Sequence, residues 1–359
     1  MNTQAVTHDL FPECPKPAIE KPLKAKRAAK STVAARAPAS LDSHQVQSAA
    51  AAATLPTGPD DWEAWAGKLE AHGDYRVQRR LKPVLHWPGE PGGPVVSMVL
   101  LDTETTGLDC TKERIIELAM LRVDIDCASG KPVGPVRVYD ELEDPGKPIP
   151  PEVVALTGIQ DDDVRGKKLD EARILAMLDG VDIVVAHNAG FDRPFVESRL
   201  PAFGRLAWAC SFADIDWKAQ GRGSAKLESL AQAHGWFYDA HRAEMDCHAL
   251  LAVLAQALPQ ASHTGLAHLL KAVSHTAYAL QATNAPFEAK DKLKARGYRW
   301  NADQRVWHTR LKDEAALEAE CAWMKEHVFG QRRALVQVEK LDALVRFSSR
   351  PGIVSHVQL

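Results

Sequence analysis

The segment VLLDTETTGL, residues 99–108, ends an apolar run in two carboxylates, Asp102 and Glu104, one residue apart. Side chains alternate faces along a strand, so both acids project to the same side, while Leu100 and Leu101 anchor the strand in a core. Like charges at the exit of a buried strand suffer repulsion and desolvation, and a hard cation with oxygen ligands relieves both. An acidic strand end facing water would explain this segment alone. Two further segments add to it. HNAGFDRPFV, residues 187–196, puts Asp192 one helical turn beyond the apolar strand VDIVVAH, near the strand ends where ligands gather in α/β sheets. Phe191 and Phe195, four apart, would pack that helix onto the sheet; a surface ion pair with Arg193 is the alternative role for Asp192. HRAEMDCHALLAVL, residues 241–254, sets Asp246 ahead of an apolar helical run, with His241 five residues before it. Five residues turn an ideal helix by about 140°, so the two meet only if His241 lies in the loop and Asp246 on the first helical turns. Glu244 and His248 are expected to face solvent.

Taken in order, DTETTGL, HNAGFD and H-x-x-x-x-D resemble the three motifs of the DEDDh branch of the DnaQ-like 3′–5′ exonuclease superfamily. The resemblance covers about residues 95–258 and is nearest in appearance to epsilon-like proofreading subunits of bacterial DNA polymerase III. ALTGIQDDDV also resembles the segment between the first two motifs, although family members often carry His where Thr157 stands. The resemblance implies a ribonuclease H-like fold and two divalent metal ions, Mg²⁺ or Mn²⁺, held by Asp102, Glu104, Asp192 and Asp246. It implies that His241 accepts the proton of the attacking water. Thr105, Thr106 and Gly107 would form a turn with free amides against the terminal nucleotide. Leu108 would stack under the last base, and Asn188 would position substrate or a ligand, unless it only caps its helix.

The expected activity is hydrolysis of the 3′-terminal phosphodiester of DNA, in proofreading or repair, at a single-stranded or frayed 3′ end, releasing nucleoside 5′-monophosphates. An exoribonuclease trimming RNA ends uses the same kind of site. A non-catalytic nucleic-acid-binding adaptor would keep the fold, but the presence of all five site residues speaks against it.

The elements needed to position these residues are legible as periodicity. VVSMVLLD, RIIELAMLRVD and PVGPVRVYDEL read as three strands, the first two a hairpin pair. PEVVALTG and KLDEARILAMLDG read as helices, VDIVVAH as a strand, AGFDRPFVESRL as a helix and WACSFADI as another strand. KLESLAQAHG and AEMDCHALLAVLAQAL complete the set as amphipathic helices. Antiparallel strands followed by βα units predict an α/β domain over 95–258 with a mixed sheet flanked by helices.

Four regions follow. Residues 1–58 are an Ala/Pro/Lys-rich tail with too few large apolar residues to order, and 59–94 comprise a helix and a basic connector. DDWEAWAGKLEAHG opens with an Asp at a cap-like position. Residues 265–350 form a small α+β module, with two aromatic strands joined by Asn-Ala-Asp-Gln. There Tyr298, Trp300, Arg305 and Trp307 lie among Lys290, Lys292, Lys294, Arg296, Arg299 and Arg310. Such interleaving suits single-strand binding, while the aromatics would equally serve as the module's core. In the tail, THDLF partly resembles the short peptides that bind the bacterial sliding clamp, with Leu10 and Phe11 as anchors.

Of 359 residues, 45% are hydrophobic and 25% charged, and the net charge is −3, so any nucleic-acid surface must be local. The six cysteines form no C-x-x-C pair, which excludes a zinc ribbon. No apolar run nears ~18 residues and the N-terminus has no hydrophobic signal core, so a cytoplasmic protein without a membrane partner is expected.

Overall fold

The computed structural model describes residues 58–359. The tail, including Leu10 and Phe11 and any clamp contact through them, lies outside the described residues. The chain divides near residue 78 into two units. In the smaller, α1 (Pro59–Glu70) is capped by Gly58 rather than Asp60, and the Asp61 carboxylate reaches back to accept the Gly58 amide at 3.2 Å.

The larger unit begins with β1 (Arg79–Arg80), β2 (His86–Trp87) and three long strands, β3 (Val95–Thr105), β4 (Ile115–Asp126) and β5 (Lys131–Leu142). Next come α2 (Pro151–Thr157), α3 (Asp161–Val164), α4 (Glu171–Leu178), β6 (Ile183–Ala186), α5 (Ala189–Arg199) and β7 (Ala207–Cys210). Then follow α6 (Ser211–Asp214), α7 (Leu227–Gln232), β8 (Trp236–Phe237) and α8 (Ala243–Leu254). The main sheet has the order β2-β5-β4-β3-β6-β7. β3 is antiparallel to β4 and parallel to β6, which is parallel to β7. This is the mixed, helix-flanked sheet of a ribonuclease H-like fold. β3 is buried continuously from Ser97 to Leu101, as a central strand covered on both faces must be. The residues expected to form only a connector contribute to sheets: β1 pairs with β8, and β2 adds the outer strand beside β5.

Two local expectations are corrected. WACSFADI is not one strand; β7 stops at Cys210, whose Sγ accepts the Ala213 amide while Asp214 accepts the Cys210 amide at 2.8 Å, and these bonds close the helical turn α6. His248 does not face solvent: it is buried on α8 beside Cys247, Ala249 and Leu250.

α9 (Gly265–Ser274) packs on α6, β7 and α8. Beyond it lie β9 (Ala277–Ala282), α10 (Lys290–Arg296), β10 (Arg299–Asn301), β11 (Val306–Leu311), α11 (Glu314–Met324), β12 (Leu335–Leu341) and β13 (Ile353–Gln358). The strands form a second, antiparallel sheet ordered β10-β11-β9-β12-β13. Its core gathers Leu280, Leu293, Tyr298, Met324, Val328 and Val336. The central strand β9, AYALQA, has no β-branched residue to mark it locally; pairing with both β11 and β12 makes it a strand.

Between β12 and β13, residues 342–350 leave the second sheet and run along the exposed edge of β7. The Trp208 amide donates to the Ala343 carbonyl at 2.9 Å. From α5, the fully buried Arg193 donates to the carbonyls of Ala343 at 3.2 Å, Leu344 at 2.5 Å and Arg346 at 2.5 Å, and pairs with Glu197 at 2.6 Å. Its guanidinium also lies over the Trp208 ring. Arg346 returns the contact by pairing with Asp214, and Ser348 and Arg350 bind Glu197. Arg193 is therefore not the surface partner of Asp192 but the peg that fastens this strap to the main sheet. Replacing it with Met removes the buried partner of Glu197, which keeps Ser348 and Arg350, and one donor from each of three carbonyls, of which Ala343 keeps the Trp208 amide and Leu344 keeps Arg350. Breaking a buried pair of this kind costs about 3–5 kcal/mol. Urea denaturation of Arg193→Met should show a loss of that order, with early proteolytic cleavage in 342–350; an unchanged midpoint would contradict the peg role.

Candidate active site

Strand parity sorts the site. Val99 and Leu101 face the core shared with Phe195 and Val196 of α5, and Thr103 follows them on that side. Asp102 and Glu104 take the opposite side, where α8 crosses β3 and β4. There Asp246, on the first turn of α8, meets them: Asp102, Glu104 and Asp246 each present a carboxylate oxygen, all within 4.8 Å of one another. Asp192 stands on the first turn of α5 and comes from the other side of the strand. Its Oδ1 accepts the Thr103 amide at 3.1 Å and the Thr103 hydroxyl at 2.8 Å, so the structure brings it to the end of β3 but not into the three-oxygen cluster.

Burial and mutual repulsion show in the acidities. Burial, with the charges of Asp192, Asp246, Glu104 and Glu117 behind it, pushes the Asp102 carboxyl well above its usual range. Burial, then Asp246 and Glu117, raises Glu104 to about 8. Burial lifts Asp192 to about 7 against the opposing Thr103 bonds, and it also raises Asp246. Among the described residues no lysine or arginine forms an ion pair with Asp102, Glu104 or Asp246. Crowded, oxygen-only and short of a counter-charge, the donor set fits hard divalent cations.

His241 lies in the loop two residues ahead of α8, with a left-handed φ of 65°. Its amide donates to Asp246 Oδ2 at 2.8 Å, and its side chain is exposed. Three residues that the motif reading passed over hold this corner. Tyr238 donates its hydroxyl to Asp246 Oδ1 at 2.8 Å. Glu117, buried on β4 directly opposite Glu104, accepts from Arg242 at 2.8 Å and from the Ala243 amide at 3.0 Å. It thereby ties the start of α8 to the sheet. A lone Glu inside the apolar run RIIELAML was the available signal for Glu117; nothing local marked its partner.

The turn after β3 differs from expectation. The register with β4 shifts between Glu104 and Thr105. Thr105 and Thr106 are buried; the Thr106 amide is taken by the Arg114 carbonyl at 2.8 Å and its hydroxyl by Glu113 at 2.6 Å. The Thr105 hydroxyl donates to the Gly107 carbonyl at 2.7 Å. The Thr106 amide is therefore not free, because the turn is closed on itself. A Cβ at Gly107 would lie 2.9 Å from Glu113 Cγ, so a side chain there would displace Glu113 from Thr106 and Lys147. Leu108 projects from the turn, 86% exposed. Asn188 caps α5 by position, with φ 71°, but its side chain makes no cap hydrogen bond and is exposed.

In the C-terminal sheet the four aromatic and basic candidates separate. Tyr298 is corrected: it is buried, with its hydroxyl on Met324 Sδ, because it fills the core under α11. Trp300 and Trp307 pair across β10 and β11 with ring centroids 5.5 Å apart, and Arg305 sits in the hairpin turn, exposed.

Acidic residues gathered at the end of the central strand of such a sheet suit a metal-dependent nuclease, and sequence comparison places the chain in that class. The RNase_T exonuclease family matches residues 99–254. The DNA polymerase III epsilon subunit of Treponema pallidum (strain Nichols) is 30% identical over 164 residues, which is 42% of this chain and 71% of that protein. The PolC-type DNA polymerase III of Listeria welshimeri is 34% identical over 110 residues, 29% of this chain; the chain spans only 7% of that protein's length. Among solved structures, Exonuclease X in complex with 5′ overhanging duplex DNA is 24% identical, covering 47% of this chain and 99% of that one, with a TM-score of 0.32. The chain belongs to the DnaQ-like exonuclease family. Among the described residues, no helix is long and apolar enough to cross a membrane.

The raised acidities carry a stability consequence. Glu104 ionises near 4.5 when unfolded and near 8 when folded, so the folded state holds the extra proton between those values. Its contribution is present below the lower value and lost as pH rises through the upper one. In metal-free buffer the melting temperature should fall from about pH 5 to about pH 8. Mn²⁺ or Mg²⁺ should restore it at the upper end. Glu104→Gln should flatten the slope and weaken the restoration. A flat profile without metal response would refute the cluster as a cation site.

Proposed function

We propose that the chain is a metal-dependent 3′–5′ exonuclease acting on DNA, releasing nucleoside 5′-monophosphates. The observation that carries this reading is the meeting of Asp102, Glu104 and Asp246 oxygens within 4.8 Å. Asp192 lies at the same strand end, and His241 is fixed beside Asp246 by its own amide. Asp102, Glu104 and Asp246 would hold the cations, with Asp192 supporting them through the oxygen that does not face Thr103. Bound Mg²⁺ or Mn²⁺ would supply Lewis-acid stabilisation of the scissile phosphate and an acidified water.

The chain's own groups do the rest. The exposed imidazole of His241 accepts a proton from the attacking water and hands it to solvent. The bond from its amide to Asp246, and the Glu117–Arg242 pair one residue on, support this role. The closed Thr105–Thr106–Gly107 turn presents Leu108 for stacking against the terminal base, and Asn188 offers its carboxamide from the head of α5. DNA is favoured as substrate because the relative from Treponema pallidum is named as a subunit of a DNA polymerase. A proofreading or repair role follows from the same relationship.

The test is release of mononucleotides from a 3′-labelled single strand with Mg²⁺ or Mn²⁺, on matched DNA and RNA. Asp102→Ala should abolish release. His241→Ala should lower kcat by about 10²–10⁴ while leaving strand affinity intact. Full activity in either variant would overturn the site, and faster turnover of RNA would reassign the sugar. Endonucleolytic fragments, or digestion from the 5′ end, would overturn the polarity.

A further inference from the structure

The second sheet carries a cleft of about 540 Å³ at its hairpin end, outside the carboxylate site. Its walls are Asn284, Phe287, Lys290, Trp300, Arg305 and Trp307. Volumes of roughly 300–1,000 Å³ are typical of small-ligand sites. Phe287 is 75% exposed and Trp300 50% exposed, an uncommon exposure for rings that could have joined the adjoining core. The Lys290 ammonium stands 4.3 Å from the Phe287 ring centroid.

We infer that this cleft binds single-stranded nucleic acid, one base stacking on Phe287 and Trp300 while Lys290 and Arg305 take the flanking phosphates. Charge selects the occupant. No carboxylate lines the cleft, and both ionised groups that do are cationic. A ring of aromatics would otherwise suit a quaternary ammonium, but the Lys290 ammonium already sets a positive charge against one side of Phe287 and repels a second cation, leaving the exposed side of the ring to a base. Between residues 284 and 311 there are seven Lys or Arg against three Asp or Glu, in a chain whose net charge is negative. Exposed π-faces with a local basic field are what a strand's bases and phosphates require. Asn284, exposed at the rim with φ 56°, adds an amide that can meet a base edge. The strap fastened by Arg193 joins this sheet to the main one, so a strand held in the cleft is held by the same body that carries the carboxylates. The inference rests on the exonuclease reading for its choice of a nucleic-acid strand, yet its test is separable.

Strand affinity is measured by fluorescence anisotropy with a labelled oligothymidylate, using full-length Asp102→Asn protein so that nothing is cut. Phe287→Ala and Trp300→Ala should each weaken Kd by at least about fivefold, and Trp300→Phe should recover most of the loss. Lys290→Ala and Arg305→Ala should each reduce the slope of log affinity against log salt by about 0.7. Hydrolysis of the p-nitrophenyl ester of thymidine 5′-monophosphate, a one-nucleotide substrate, is followed in the same variants with Asp102 restored, and should be unchanged. Wild-type affinity in the Phe287→Ala, Trp300→Ala double variant would overturn the inference, as would displacement of the strand by a proline-rich peptide but not by unlabelled DNA. Loss of one-nucleotide hydrolysis in the two aromatic variants would also overturn it, by showing a general structural effect. If wild type binds the strand through these residues but hydrolyses neither substrate, the exonuclease reading fails and the cleft stands.

Discussion

Carboxylates that would repel one another in any open chain are forced together at the end of β3, and much of the larger unit is arranged around that crowding. β3 is an interior strand, paired with β4 on one side and β6 on the other, so its end cannot shift without disturbing both. Its alternation sends Asp102 and Glu104 toward α8 and Thr103 toward α5. The fold thus holds an unfavourable electrostatic arrangement by means of a favourable apolar one: Leu100, Leu101, Met120 and Leu121, all fully buried, keep the strand in register beneath the acids. Neutralisation is left to whatever cation the site takes up. Strain of this kind, supported by a rigid scaffold, is a common property of catalytic centres.

Around the acids, each supporting contact restrains one element. Thr103 restrains α5 through Asp192, Glu117 restrains α8 through Arg242 and Ala243, and Tyr238 restrains Asp246 itself. The strap does the same on a larger scale. Arg193 is the next residue after Asp192 on α5, so the helix that carries a site acid also anchors the second sheet. The two sheets are thereby joined through a buried guanidinium, whose five N–H groups in a fixed fork can serve several carbonyls at once.

The motif residues and most strands and helices of the main sheet were legible, because apolar periodicity and short-range spacing are local properties of the chain. Helical geometry let His241 meet Asp246 only from a loop ahead of α8, and His241 lies in that loop. What escaped was set by distant partners. β9 is a strand because two neighbours pair with it, not because AYALQA favours one. The single strand expected at WACSFADI was cut short by a cap that forms between side chain and backbone at Cys210 and Asp214. His248 was expected in water and is covered, because the helical face it occupies lies against other elements of the unit.

By itself, the sequence singled out the residues suited to the proposed chemistry, four acids and a histidine in three motifs, and alternation placed Asp102 and Glu104 on one face. It also determined the family. Only the tertiary structure decided that Asp192 is drawn to Thr103 and that the Thr106 amide is already spent. The same is true of Tyr298, which belongs to a core whereas Trp300 does not, and of Arg193, which serves a strap about 150 residues away. The reason is physical. Chemical identity and face are fixed by covalent neighbours, but a hydrogen-bonding group chooses its partner only when elements remote in sequence are packed beside it.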